Sequence, residues 1–221
     1  MDSFTFFHKI NIVFHVIAGT VALLLGIIAL SSRKGKQIHI KSGKWFLGLL
    51  AVVVFTGLLG VFIFGRNTFL LVITLLSAYQ GFSGYRTLQF KNNHPRSLDI
   101  VMAMITLLSA VYFMYYIKQI GMFWTPVIIY STLGALFTII LYDLARYLIP
   151  ASKYKKLWLY EHIYKMIGAF SALLAAFAGT VFSAYQPYSQ VLPSALGIFL
   201  QVGFIIYYLR KDGLAKDGLP V

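Results

Sequence analysis

The segment LWLYEHIYKMIGAFSALLAAFAGTVFS, Leu157 to Ser183, sets an acid, a base and a histidine into a stretch otherwise suited to lipid. Glu161, Lys165, Gly168, Ala172, Ala176, Gly179 and Ser183 follow one another at steps of three or four, which places them on one helical stripe. Small residues let helices approach closely in lipid, where polar side chains find partners across the contact. This segment is therefore expected to be the most tightly packed helix of the chain and to lie at its centre.

Working outward, six more apolar runs recur, each near the twenty or so residues needed to cross a hydrocarbon core of about 30 Å. The seven spans read 10–31, 44–64, 68–88, 98–118, 123–147, 158–184 and 189–209. Backbone amides cannot go unpaired in hydrocarbon, so each is expected to be α-helical. The fold class is all-α: one domain over 1–221, a polytopic bundle of seven transmembrane helices. The composition agrees, since 11% charged residues is far below the roughly 25% of a soluble domain. The N-terminus lacks a signal peptide's basic start, so the first span is expected to be retained. With no cysteine, disulfides, thiolate metal sites and cysteine nucleophiles are excluded.

The net charge of +13 follows the loops. Fifteen of the nineteen Lys and Arg residues fall in the first, third and fifth connections and the C-terminal tail. Lys9, Arg66 and Lys118 fall on the other side, and Lys165 lies inside the sixth span. The positive-inside rule then puts the C-terminus in the cytoplasm and the N-terminus outside. The basic surface is topological rather than a nucleic-acid interface, and it suits anionic lipid headgroups. Trp45, Trp124 and Trp158 stand at span ends, as interfacial anchors do.

Two more stripes are expected to face the interior. His8, Asn11, His15, Gly19, Ala22 and Gly26 line the first span, and Thr74, Ser77, Gln80, Gly81 and Gly84 the third. An unpaired amide at the depth of Gln80 would cost several kcal/mol, so it requires a partner or a water-filled cavity. Glu161 and Lys165 have the favourable order for an i, i+4 ion pair. The internal acids Asp99, Asp143 and Glu161 all fall at cytoplasmic helix ends, as do His39, His94, His162, Arg86 and Arg146. Ionisable groups at that depth are functional candidates. His39 and His162 are the first-choice ligands for haem b or a divalent Zn or Fe ion, with Asp143 and Glu161 second. The competing reading is a small proton-coupled transporter using Asp143, Glu161, Gln80 and His15. A third is a non-catalytic subunit that assembles with a partner. Neither H-E-x-x-H, P-loop nor G-x-S-x-G occurs.

The pattern HVIAG, a basic loop and HIKSG, with SGYR at Ser83 to Arg86 and the Glu161–His162 pair, resembles a bacterial family of uncharacterised polytopic membrane proteins. The resemblance implies a multi-pass protein of the bacterial inner membrane and brings no activity with it.

Overall fold

The computed structural model describes residues 3–65, 69–120 and 125–216, and among these the chain is all-helical. Seven helices have twenty residues or more: α1 (Ser3–Ser31), α2 (Gln37–Phe62), α3 (Phe69–Phe90), α4 (Ser97–Ile120), α5 (Pro126–Ala145), α7 (Leu157–Val181) and α8 (Tyr188–Lys216). The fifth connection holds a 3-10 turn, Arg146–Leu148, and the short α6, Ala151–Tyr154. All of these helices but α3 and α6 are long and apolar enough to cross a membrane, six in number. The row Thr74, Ser77, Gln80, Ser83 and Arg86 is what lowers the hydropathy of α3, whose length is otherwise comparable.

Helix ends depart from the apolar runs in a consistent way. The first helix starts at Ser3 and the second at Gln37, well before the hydrophobic boundaries at 10 and 44. Lys36, Lys41 and Lys44 extend the second helix because long basic side chains can reach water from a turn inside the interface. The sixth run, in contrast, ends early: α7 stops at Val181, and Ser183 sits exposed in a 3-10 turn rather than on the packed stripe. Trp45 is exposed on α2, and Trp158 lies under the Lys91 ammonium at 4.8 Å. Trp124, Arg66 and Asn67 lie outside the described residues.

Two apolar clusters make the core. One joins Ala18, Ala22, Phe46, Leu50, Val53, Ala169, Phe170 and Leu173 across α1, α2 and α7. The other joins Val72, Leu76, Tyr79, Ala110, Phe113, Leu133, Leu136 and Ile140 across α3, α4 and α5, and reaches Ala172 of α7. Helices α3 and α7 thus form the shared wall. The central role expected of the segment at 158–184 holds, since α7 packs on α1, α3 and α8. Close approach depends on two glycines. A Cβ at Gly168 would overlap the Gln80 amide, and one at Gly84 would come within 3.0 Å of Lys165 Cβ. Outer contacts are polar: Ser171 Oγ donates to the Pro193 carbonyl at 2.9 Å and Gln201 Nε2 to the Tyr164 carbonyl at 2.9 Å, tying α8 to α7.

Candidate functional site

Lys165 Nζ lies 2.5 Å from Asp143 Oδ1, and Arg146 Nη1 lies 2.7 Å from Glu161 Oε2. Longer contacts close the square, Lys165 to Glu161 at 3.5 Å and Arg146 Nε to Asp143 at 4.0 Å. None of the four side chains is more than 7% exposed. Two acids and two bases cancel, which is how four charges persist out of water.

Neutral groups complete the shell. The Tyr79 hydroxyl donates to Asp143 Oδ2 at 3.0 Å and the Tyr142 hydroxyl to Glu161 Oε1 at 2.7 Å, so all four carboxylate oxygens are engaged. Thr87 gives its proton to the Ser83 carbonyl at 2.8 Å, and its Oγ1 accepts from Arg146 at 3.2 Å and Lys165 at 3.4 Å. The Tyr154 hydroxyl accepts from Arg146 Nη1 at 3.3 Å. Burial, and then the Glu161 charge, push the Tyr154 phenol well above its usual range.

Local sequence explains why the charges meet. Pro150 stops the chain just after the 3-10 turn that carries Arg146, whose carbonyl keeps only the Ile149 N–H at 3.1 Å from the backbone. Asn93, buried in the α3–α4 connection, donates to two carbonyls of this turn, Arg146 O at 3.0 Å and Ile149 O at 2.6 Å. On α7, Glu161 and Lys165 share the face that meets α3 and α5, and neither caps the helix, whose N-cap is Lys156.

The acids therefore divide. Asp143 and Glu161 join Arg146 and Lys165, whereas Asp99 pairs with Arg86 at 2.6 Å, beneath the Phe90 ring. A void of about 10 Å³ separates the two groups, lined by Tyr79, Ser83, Arg86, Asp99, Asp143 and Arg146. That is roughly the room one water needs.

The histidines do not join them. His39 turns Nδ1 to the Ala29 carbonyl at 3.0 Å, His162 to the Gly84 carbonyl at 3.1 Å, and His94 is exposed. Among the described residues no three His, Asp or Glu side chains come together as a metal site would require. A mixed histidine–carboxylate metal centre does not fit this arrangement, because the Asp143 and Glu161 oxygens are committed to Lys165, Arg146 and two tyrosines. Helices α2, α3 and α7 also pack closely around this level. A Cβ at Gly81 would already meet Leu50 at 2.8 Å, and one at Gly84 would meet Met166 Sδ at 3.2 Å.

At the opposite end, α1, α2, α3 and α7 line a partly open cavity of about 390 Å³. His15 and Asn11 of the first stripe reach its wall, as do Thr74 and Ser77 of the third. Asn11 Nδ2 donates to the Thr56 carbonyl at 3.0 Å, and His15 Nδ1 meets Thr56 Oγ1 at 2.9 Å. His8 stacks on Phe64 with centroids 4.5 Å apart. From Thr74 and Ser77 a polar row continues along α3 through Gln80 and Ser83 to Thr87 in the ion network. Gln80 Oε1 and Ser83 Oγ are buried with no hydrogen-bond partner among the described residues.

Tyr79, Thr87, Asn93, Tyr142 and Tyr154 are the site residues that sequence reasoning missed. Thr87 had a signal, four residues beyond Ser83 on the polar side of the third span. Asn93 and the tyrosines had none, since their roles depend on how the helices are turned. Searches against protein-family models, curated proteins and solved structures return no match, so function has to be argued from this geometry.

Proposed function

We propose that the chain is a small proton-coupled carrier of the bacterial inner membrane. It spans the bilayer seven times, α3 included, with the N-terminus outside and the basic loops and C-terminus in the cytoplasm. The observation that supports this reading is the polar row on α3, which links the cavity wall at Ser77 to the ion network at Thr87. A buried, balanced network is not needed for stability, since well-packed apolar residues often serve as well or better. Ionisable groups inside a membrane mark proton and substrate pathways by default.

Lys165 is the mobile element of the scheme. It touches both carboxylates, Asp143 at 2.5 Å and Glu161 at 3.5 Å. A proton taken up on Asp143 neutralises that carboxylate and releases Lys165 to Glu161, and loss of the proton reverses the exchange. The exchange changes the contacts between α5 and α7 beneath the cavity, which couples proton occupancy to cavity shape. Water on the unpaired Gln80 and Ser83 oxygens would complete the relay.

The test needs no substrate. Protein-loaded solid-supported membranes exposed to a pH step should give a transient current absent from protein-free membranes. Asp143→Asn with Lys165→Met, a change that keeps the network balanced, should abolish it. Wild-type traces matching empty membranes would exclude coupling.

One observation favours a second reading, a metal ion held by His39 and His162. Both rings hold Nδ1 against a backbone carbonyl, as metal-bound histidines do, leaving Nε2 as the ligand atom. Stoichiometric zinc or iron lost in His162→Ala would support it. A Soret band that shifts on reduction would extend it to haem, against the close packing at Gly81 and Gly84. A metal-free, colourless protein would end it.

A further inference from the structure

We infer that the cavity between α1, α2, α3 and α7 binds an uncharged lipophile bearing a hydroxyl group, held by a hydrogen bond to His15 Nε2. The inference rests on reading this cavity as the carrier's binding chamber and adds the class of molecule that it takes.

Size comes first. A volume of about 390 Å³ lies within the roughly 300–1,000 Å³ of small-molecule sites. The walls are chiefly aliphatic and aromatic, with Val16, Val53, Leu173 and Phe177 among them, and among the described residues no Asp, Glu, Lys or Arg lines the cavity. An ion entering would lose its hydration and meet no opposite charge, so the occupant is neutral.

The polar atoms define its head group. Thr56 donates its proton to the Val52 carbonyl at 2.7 Å, Ser77 to the Thr74 carbonyl at 3.2 Å and Thr180 to the Ala176 carbonyl at 2.9 Å. With their protons turned back on their own helices, these hydroxyls present lone pairs. Thr56 Oγ1 must then accept from His15 Nδ1–H, across 2.9 Å. With the Val53 carbonyl also within hydrogen-bond reach of the ring, the Nδ1 side of His15 faces acceptors only, which puts the proton on Nδ1 and makes Nε2 of the neutral ring an acceptor. Asn11 spends an amide proton on the Thr56 carbonyl, so its oxygen adds another acceptor. At His15 Nε2, Thr56 and Ser77 the wall presents acceptors, and this part of it selects a ligand that donates. A hydroxyl does so without charge, whereas an ether or ketone placed at His15 Nε2 would set lone pair against lone pair.

The probes share one body and differ in the head: 4-octylphenol, 4-octylanisole and 4-octylbenzoate. Binding to the protein in lipid nanodiscs is measured by equilibrium dialysis and corrected with empty nanodiscs. The phenol should bind saturably, roughly five-fold tighter than the anisole, as one neutral hydrogen bond implies, and the benzoate more weakly still. His15→Phe, which keeps the ring volume, should erase the difference between phenol and anisole. A Cβ at Gly60 would meet nothing within 4 Å, so Gly60→Leu can fill the cavity and should remove binding of all three.

Equal affinity of phenol and anisole for the wild-type protein would overturn the inference, and that comparison needs no variant to fold. Preference for the benzoate would overturn it as well. Uptake matching that of empty nanodiscs, or unaffected by Gly60→Leu, would mean that bilayer partitioning alone is seen, with acyl chains as the occupants. Phenol selectivity without the pH-step current would overturn proton coupling and leave this inference standing. The current without the selectivity would do the reverse.

Discussion

Arg146 and Glu161 meet at 2.7 Å, both buried, and so join the 3-10 turn after α5 to the second turn of α7. Removing one member of a buried ion pair leaves an uncompensated charge and typically costs about 3–5 kcal/mol. Arg146→Met should therefore destabilise the protein by about that amount, because Asp143, Glu161 and Lys165 are left with a net negative charge. Arg146→Met with Glu161→Gln leaves Lys165 paired with Asp143 and should recover most of the loss. Unfolding of both variants in one detergent decides the point. A double variant no better than the single one would mean that Arg146 acts through packing rather than charge.

Gln80 lies across Gly168, where α3 and α7 come closest, and an added Cβ would collide with its amide. Gly168→Ala should cost about 1–3 kcal/mol, the usual penalty of overpacking. Gln80→Ala should relieve that clash, so the two substitutions should be strongly non-additive in a double-mutant cycle. Additive effects would show that the helices separate freely and that the contact is not rigid.

These pairs mark the limit of what the chain discloses before folding. The stripe from Glu161 to Gly179 is legible because a period of three to four stands out in an apolar run, and its central place follows from the small residues alone. The depth of Asp143 is legible too, since it falls about one turn inside the hydrophobic boundary at 147, with Arg146 three residues on. Their partners are not. Glu161 with Lys165 and Asp143 with Arg146 are the pairs that spacing suggests, at 3.5 and 4.0 Å. The short contacts run between helices instead, and they depend on the rotation of α5 against α7. Tyr79, Tyr142 and Tyr154 look like interfacial tyrosines for the same reason, because only rotation turns a hydroxyl inward.

Asn93 offers a test of how the site is held. Its side-chain amide serves two carbonyls, of Arg146 and Ile149, and is buried. Asn93→Ala leaves both without that donor and should cost about 1–3 kcal/mol. The loss should appear as faster amide exchange around Arg146–Leu148 before any effect at the cavity. Unchanged exchange there would show that the turn holds without Asn93.

The last prediction concerns alkaline pH, and its sign follows from Tyr154. Burial, reinforced by the Glu161 charge, raises the pKa of this phenol in the folded protein. An unfolded phenol ionises near pH 10. Below that value the group is neutral in both states and favours neither. Above it the unfolded chain loses the proton while the folded one keeps it, so stability falls as pH rises through 10 and goes on falling until the folded group ionises as well. Tyr154→Phe removes this contribution. The variant should be less stable than wild type at pH 7, having lost one of three acceptors for Arg146 Nη1, yet should lose less stability between pH 9 and 11. Melting curves across that range supply the comparison. Parallel losses in the two proteins would show that Tyr154 titrates alike folded and unfolded, and hence that water reaches the Arg146 end of the network.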